Sequence, residues 1–442
     1  MRVWGRRAGL VAAAVGLAGA MSVATAVLGQ PSTVVKPASE SRTNAADLAG
    51  RTEVSSGIAA LQERLRRVPL DWSAWAELGG AYVAQARQTA DPTYYGLAED
   101  AYAQSLVVRP DDNAAALTGQ ASLAAARHNF TTALELARQA QALNPYSSTN
   151  QGALVDALVE LGRYDEATVE LQRMVDLRPD VASFTRVSYL RELRGDLPGA
   201  KLALEQAGSF AFAPSDKAFV QQYLGELAFN AGQLEEARDH YETGLRIQPD
   251  APRLLAGRAR VAAAAGDTDA ALRDYRVAVE RLPEPGYLIG YAEVLDVVGR
   301  HEEAAEQYAL VEVVEQLFRA QGVNPGLELA VYAADHGRPQ VALELAEREW
   351  NARRSVHTED AYAWALHANG RDSEALEHAR AAEALSGTNA LFSYHRGMIE
   401  LSLGMTVEAE ASLARALETN PYFSVLQAPI ATRSLTELRA RP

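Results

Sequence analysis

The chain has 442 residues, no cysteine, 57 acidic against 42 basic side chains and a formal charge of −15. Without cysteine there is no disulfide framework, no thiolate zinc site and no lipidated N-terminal Cys. The acidic surface repels phosphate backbones, which excludes nucleic acid as an expected partner, and an Ala/Leu/Glu/Arg-rich composition with only 9 Phe favours helices over sheets.

In chain order, the first element is an export segment. Arg2, Arg6 and Arg7 precede an uncharged, largely apolar run of 21 residues from Ala8 to Leu28, the physical form of a secretory signal. Ala24-Thr25-Ala26 offers a small-x-small cleavage site, so residues 1–26 read as a signal peptide. The run is also long enough to span a hydrocarbon core, so the alternative reading of residues 8–28 is an uncleaved anchor. With either reading the remainder lies outside the cytoplasm, secreted or in the cell envelope, because the arginines stay inside. Membrane contact is expected only through such an anchor.

Residues 27–52, Pro/Ser/Thr/Ala-rich, read as a flexible linker. Ile58, Leu61 and Leu65 recur at helical spacing, predicting an N-terminal capping helix over 53–70. A repeat then sets in. Eight times a Gly is followed five residues later by an Ala, in the pairs Gly162/Ala167, Gly195/Ala200, Gly232/Ala237, Gly266/Ala271, Gly299/Ala304, Gly337/Ala342, Gly370/Ala375 and Gly404/Ala409. A period near 34 residues marks a helical solenoid. Gly suits a turn that needs φ > 0, and Ala allows the second helix to approach the first. Pro179, Pro249, Pro283 and Pro421 stop the second helix twelve residues after the Ala.

Trp75-x-x-Leu78-Gly79-x-x-Tyr82, followed by Ala98, Tyr102 and Pro110, resembles the tetratricopeptide repeat. That first unit carries about seven extra residues around Asp91-Pro92-Thr93, read as a lengthened inter-helix loop. A second unit, Leu117–Pro145, has His128-Asn129 in place of the turn Gly. The resemblance implies an all-α, right-handed solenoid of about ten helix–turn–helix repeats over 71–421, capped by a charged helix or tail within 422–442. The chain after its leader is similar to long exported bacterial members of this family.

No motif for catalysis, for a cofactor or for a metal site appears: there is no phosphate loop, no G-x-S-x-G and no H-E-x-x-H. His301-Glu302-Glu303 starts like the last but lacks its second His. Tyr241, Tyr275 and Tyr308, four residues after the repeat Ala, read as core. The chain is therefore expected to be a non-enzymatic scaffold that binds a partner polypeptide, the function that fold analogy gives. Two other classes stay open, a protein that binds a small solute in the same groove and an enzyme with an unrecognised site.

The resemblance places the first helix of each repeat on a concave groove. Aligned by the turn Gly, central groove positions include Phe219, Gln222, Glu226, Phe229, Arg253, Arg260, Glu293 and Asp296. Towards the C-terminus they include His357, Asp360, Trp364, His367, Tyr394 and Met398. Positions 357, 360, 364 and 367 share one helical stripe, which predicts that Trp364 and Tyr394 anchor the partner within a rim of His357, Asp360 and His367. The two His of that rim would titrate between about pH 5.5 and 7.5. They cannot share one ion, being about 15 Å apart along the helix. Family members that clamp chaperone C-termini use groove Lys, Asn and Arg. Here the aligned sites hold Ser122, Asp156 and Tyr189, so that ligand is not expected.

Overall fold

The computed structural model describes residues 45–440 apart from Pro325. Among these residues there are 22 α-helices, α1 (Ala45–Arg67) to α22 (Gln427–Arg439), and no strand. Helices α2–α21 pack as ten antiparallel pairs, α2 with α3 through α20 with α21, and each pair packs on the next. The leader and the first part of the expected linker lie outside the described residues. The rest of that linker is helical, since α1 starts at Ala45. No described helix is long and apolar enough to cross a membrane.

The local rules of the repeat are visible in the backbone. All eight turn glycines have positive φ, between 69° and 82°, and His128 takes the same left-handed conformation at 59°. Asn129 beside it caps α5 (Phe130–Leu143) by accepting from the Thr132 amide. Helices α7, α11, α13 and α21 end at Leu177, Ile247, Arg281 and Thr419, each two residues before its proline. One expectation is corrected. The extra residues of the first repeat lengthen α2 (Trp72–Thr89) instead of the loop, because Val83–Thr89 is rich in helix formers and the turn needs only Ala90–Pro92.

Tyrosines and mid-helix glycines form the core joints. Tyr241 is fully buried, and a Cβ on Gly225 would lie 2.8 Å from its ring, with Gly257 closer still. The repeat needs Gly there because a large ring fills the space between successive first helices.

The solenoid winds far enough to touch itself. Arg127, Glu160, Gly195 and Phe229 meet residues about 190 positions later. The Asn324 amide donates to the Arg127 carbonyl at 3.3 Å, and the Val356 amide donates to the Tyr164 hydroxyl at 2.9 Å. Asn420 Nδ2 donates to the Phe229 carbonyl at 2.9 Å. Arg353 lies between Glu160 and Glu349, 2.9 Å from the latter, with all three side chains at most 5 % exposed. Its guanidinium also covers the Phe130 ring at 4.8 Å. These contacts form a seam that joins the Gly-turn edge of the first superhelical turn to the opposite edge of the second.

Candidate functional site: the interior of the superhelix

Closure along the seam converts the concave face into a cavity of about 910 Å³. One wall comes from the first helices of three consecutive repeats, α10 (Pro214–Asn230), α12 (Pro252–Ala264) and α14 (Pro285–Val297). These present Phe219, Gln222, Tyr223, Glu226, Phe229, Arg253, Arg260 and Tyr287. The second turn closes the other side with His357, Asn389 and Phe392.

The polar groups in the cavity differ in how well they are paired. Arg253 pairs with Glu284 at 2.9 Å, and Glu284 is fully buried. Arg260 lies flat over the Phe229 ring at 4.2 Å and donates to the Tyr241 hydroxyl at 3.4 Å. No carboxylate is within ion-pair distance of it, and its Nε is buried without an acceptor. Glu226 accepts from Gln222 at 2.9 Å and likewise has no ion-pair partner. Glu192 accepts from Asn230 at 3.0 Å, and burial holds its carboxyl above the usual range. Burial also pushes the Tyr223 hydroxyl up and His357 down to about 4. The wall therefore offers the Arg260 guanidinium as a donor array, the Glu226 side chain as an acceptor, tyrosine hydroxyls and aromatic faces. Such a set suits a ligand carrying both donors and acceptors along an apolar stem.

The central candidates Phe219, Gln222, Glu226, Phe229, Arg253 and Arg260 thus come together with His357 in one space. The rest of the C-terminal stripe does not join them, and its expected exposure is corrected. Trp364 and Tyr394 are 8 % and 2 % exposed, their rings 5.8 Å apart. Trp364 stacks on His395 at 4.2 Å and donates to Asp335 at 2.7 Å. Asp360 is buried as the acceptor of His395 Nδ1 at 2.9 Å, and Met398 packs half-buried in the same cluster. His367, half-buried, pairs with Asp372. The reason is geometric: α18 (Val356–Ala368) has first helices on both flanks, α16 (Leu327–Asp335) and α20 (Ala390–Ser402). Its Asp360 and Trp364 face α20, not the interior. Glu293 and Asp296 also lie off the cavity wall; Glu293, among Asp335 and Asp296, is pushed by burial up to about 8.

Sequence reading missed Tyr223, Tyr287 and Glu284 in the cavity. Tyr223 lies one residue past the aligned Gln222, and Glu284 sits in the loop before α14, where repeat alignment gives no groove position. Among the described residues no group of three His, Asp or Glu side chains is arranged to hold a metal.

Comparison with known proteins agrees with the helix pairing. Family models described as tetratricopeptide repeat match residues 124–191 and 224–285, which fall on consecutive helix pairs. The chain carries tetratricopeptide repeats. A curated relative is the tetratricopeptide repeat and J domain-containing co-chaperone DNJ1 of Fusarium oxysporum f. sp. lycopersici, 27% identical over 132 residues, 29% of this chain. The match spans 25% of that relative's length. Similar solved structures include a tetratricopeptide repeat protein from Parabacteroides merdae, at 19% identity and TM-score 0.34. It covers 59% of this chain and 98% of its own. PilF of Pseudomonas aeruginosa, at 17% identity and TM-score 0.38, covers 51% and 98%. Cut9–Hcn1, at 14% identity and TM-score 0.38, covers 89% and 94%.

Proposed function

We propose that this tetratricopeptide-repeat superhelix is a non-catalytic scaffold that receives a segment of a partner polypeptide in its interior cavity and acts outside the cytoplasm. The observation that carries the reading is the cavity wall itself. Two successive first helices, α10 and α12, bring Phe219, Tyr223 and Phe229 beside the ion-unpaired Arg260 and Glu226, which can bond the carbonyls and amides of an extended chain. The limited volume of about 910 Å³ favours a short extended segment over a folded surface or a long helix. The basic leader followed by an apolar run supports export. A small solute is the second reading, favoured by a volume within the range of about 300–1,000 Å³ common for small-molecule pockets.

A photo-crosslinking amino acid placed at Phe219, and in a second protein at exposed Leu202 on the outer face, tests the proposal in cell-envelope extract. The expected result is a discrete polypeptide crosslinked through position 219, absent from position 202 and lost with Arg260→Ala. Equal labelling from both positions, or none from 219, would contradict it. None from 219, together with a small molecule retained after purification, would favour the solute.

A further inference from the structure

The seam shows how one edge of this solenoid recognises the other, and each end of the molecule leaves one half of that interface free. In the second turn, the residue two positions before a first helix lies on a turn glycine of the first turn. Arg354, two before Val356, puts its carbonyl over Gly162, where any Cβ would collide with it. Thr388, two before Ala390, puts Cγ2 at 3.1 Å from the place a Cβ on Gly195 would take. Farther along, the Thr419 carbonyl stands 3.2 Å from the same place at Gly232. Beside these contacts an apolar cluster of Val356, Ala382 and Phe392 packs on Tyr164 and Leu193 of the first turn.

The equivalent positions elsewhere are uncovered. Two residues before their first helices, Tyr146 and Phe212 of the first turn are each 83 % exposed. Large aromatic side chains held in the open on loops are costly unless something covers them. On the opposite edge, the turn glycines Gly299, Gly337, Gly370 and Gly404 of the second turn have nothing within 4 Å of a Cβ position. Val297 stands two residues before Gly299, as Leu193 does before Gly195. Unlike Leu193, it is 53 % exposed, and Val407 beyond Gly404 is 78 % exposed.

We propose that copies of this chain stack head to tail, the Tyr146/Phe212 edge of one seated on the Gly-turn edge around Val297 and Val407 of the next, so that the superhelix continues from copy to copy. The partner is a second copy because the two free surfaces are the halves of an interface the chain already forms with itself. Such a contact is heterologous and does not close after two copies; it generates open-ended assemblies.

Full-length protein is followed by light scattering and sedimentation across a concentration series. The expected weight-average mass rises past that of a dimer without a plateau. Tyr146→Asp/Phe212→Asp blocks one edge and Val297→Asp/Val407→Asp the other. All four side chains are exposed, so both variants should keep the wild-type helical signal and unfolding midpoint. Each variant alone is expected to be monomeric. Mixed one to one, they should form a heterodimer and stop there, because each retains one intact edge. A wild type that is monomeric at all concentrations, one that plateaus as a dimer, or variants that associate as the wild type does would each overturn the proposal.

Discussion

Arg353→Ala is expected to destabilise the folded chain by about 3–5 kcal/mol, the usual cost of removing one member of a buried ionic group. Arg353 is the single cation between Glu160 and Glu349, and the side chains of the three are 2 %, 5 % and 4 % exposed. Burial raises both glutamate pKa values, and the guanidinium opposes the rise. Without it both carboxylates must either stay charged in a dry seam or take up protons. Their folded pKa values then rise further, so the folded form binds more protons than the unfolded one. The deficit is accordingly smallest at low pH and grows as pH rises through those folded values. Urea titrations at pH 5 and pH 8 should show the larger loss at pH 8. Replacing all three residues by apolar ones of similar volume is expected to be close to neutral, since the desolvation cost disappears with the charges. A loss under about 1 kcal/mol for Arg353→Ala would mean that the triad is hydrated in solution.

His128→Gly should make the protein markedly more resistant to acid. His128 occupies the left-handed turn position that Gly fills in the eight repeats that follow, is 4 % exposed and stacks on Phe130 at 5.7 Å. Burial, reinforced by the Arg353 charge, depresses its pKa to about 3. The unfolded chain, with an ordinary His pKa near 6.5, binds a proton that the folded chain refuses. Stability from the neutral imidazole is therefore fully present above about pH 6.5 and is lost as pH falls towards the folded value, at about 1.4 kcal/mol per unit. Other groups titrate over the same range, including Glu293 with the opposite sign, but they are common to both proteins and cancel in the comparison. Relative to His128→Gly, the wild type should lose roughly 3 kcal/mol between pH 6.5 and pH 4. Denaturation midpoints at pH 7, 5.5 and 4 check this, and parallel profiles would refute it. The window expected from His357 and His367 alone was higher. His357 leaves it because burial in the cavity wall lowers its pKa to about 4.

What the sequence reveals here is what neighbouring residues determine. A turn that requires φ > 0 selects Gly162 or Gly404, and close helix contact selects Ala167 or Ala409, so eight of the ten helix pairs are legible from that period alone. His128 could be placed at its turn for the same reason, although its burial could not. The seam depends on small rotations between repeats that accumulate over about 190 residues, and no local pattern encodes where Gly162 will find Arg354. The site was partly readable for this reason. Phe219, Glu226 and Arg260 face the interior as repeat alignment placed them. Trp364 and Tyr394 follow the same alignment and are buried instead, because the α18–α20 packing turns them towards each other.

Both the cavity and the proposed stacking depend on the second turn lying on the first, and hydrogen exchange at the Val356 amide tests that directly. This amide is the first of α18 and has no acceptor within its own helix. Its acceptor is the Tyr164 hydroxyl, 2.9 Å away across the seam. A closed superhelix predicts protection at Val356 approaching that of helix interiors, abolished by Tyr164→Phe while the protection of α7 itself is kept. Exchange at Val356 as fast as in an unstructured peptide, and the same in both proteins, would show that the turns are apart in solution and that the cavity does not form.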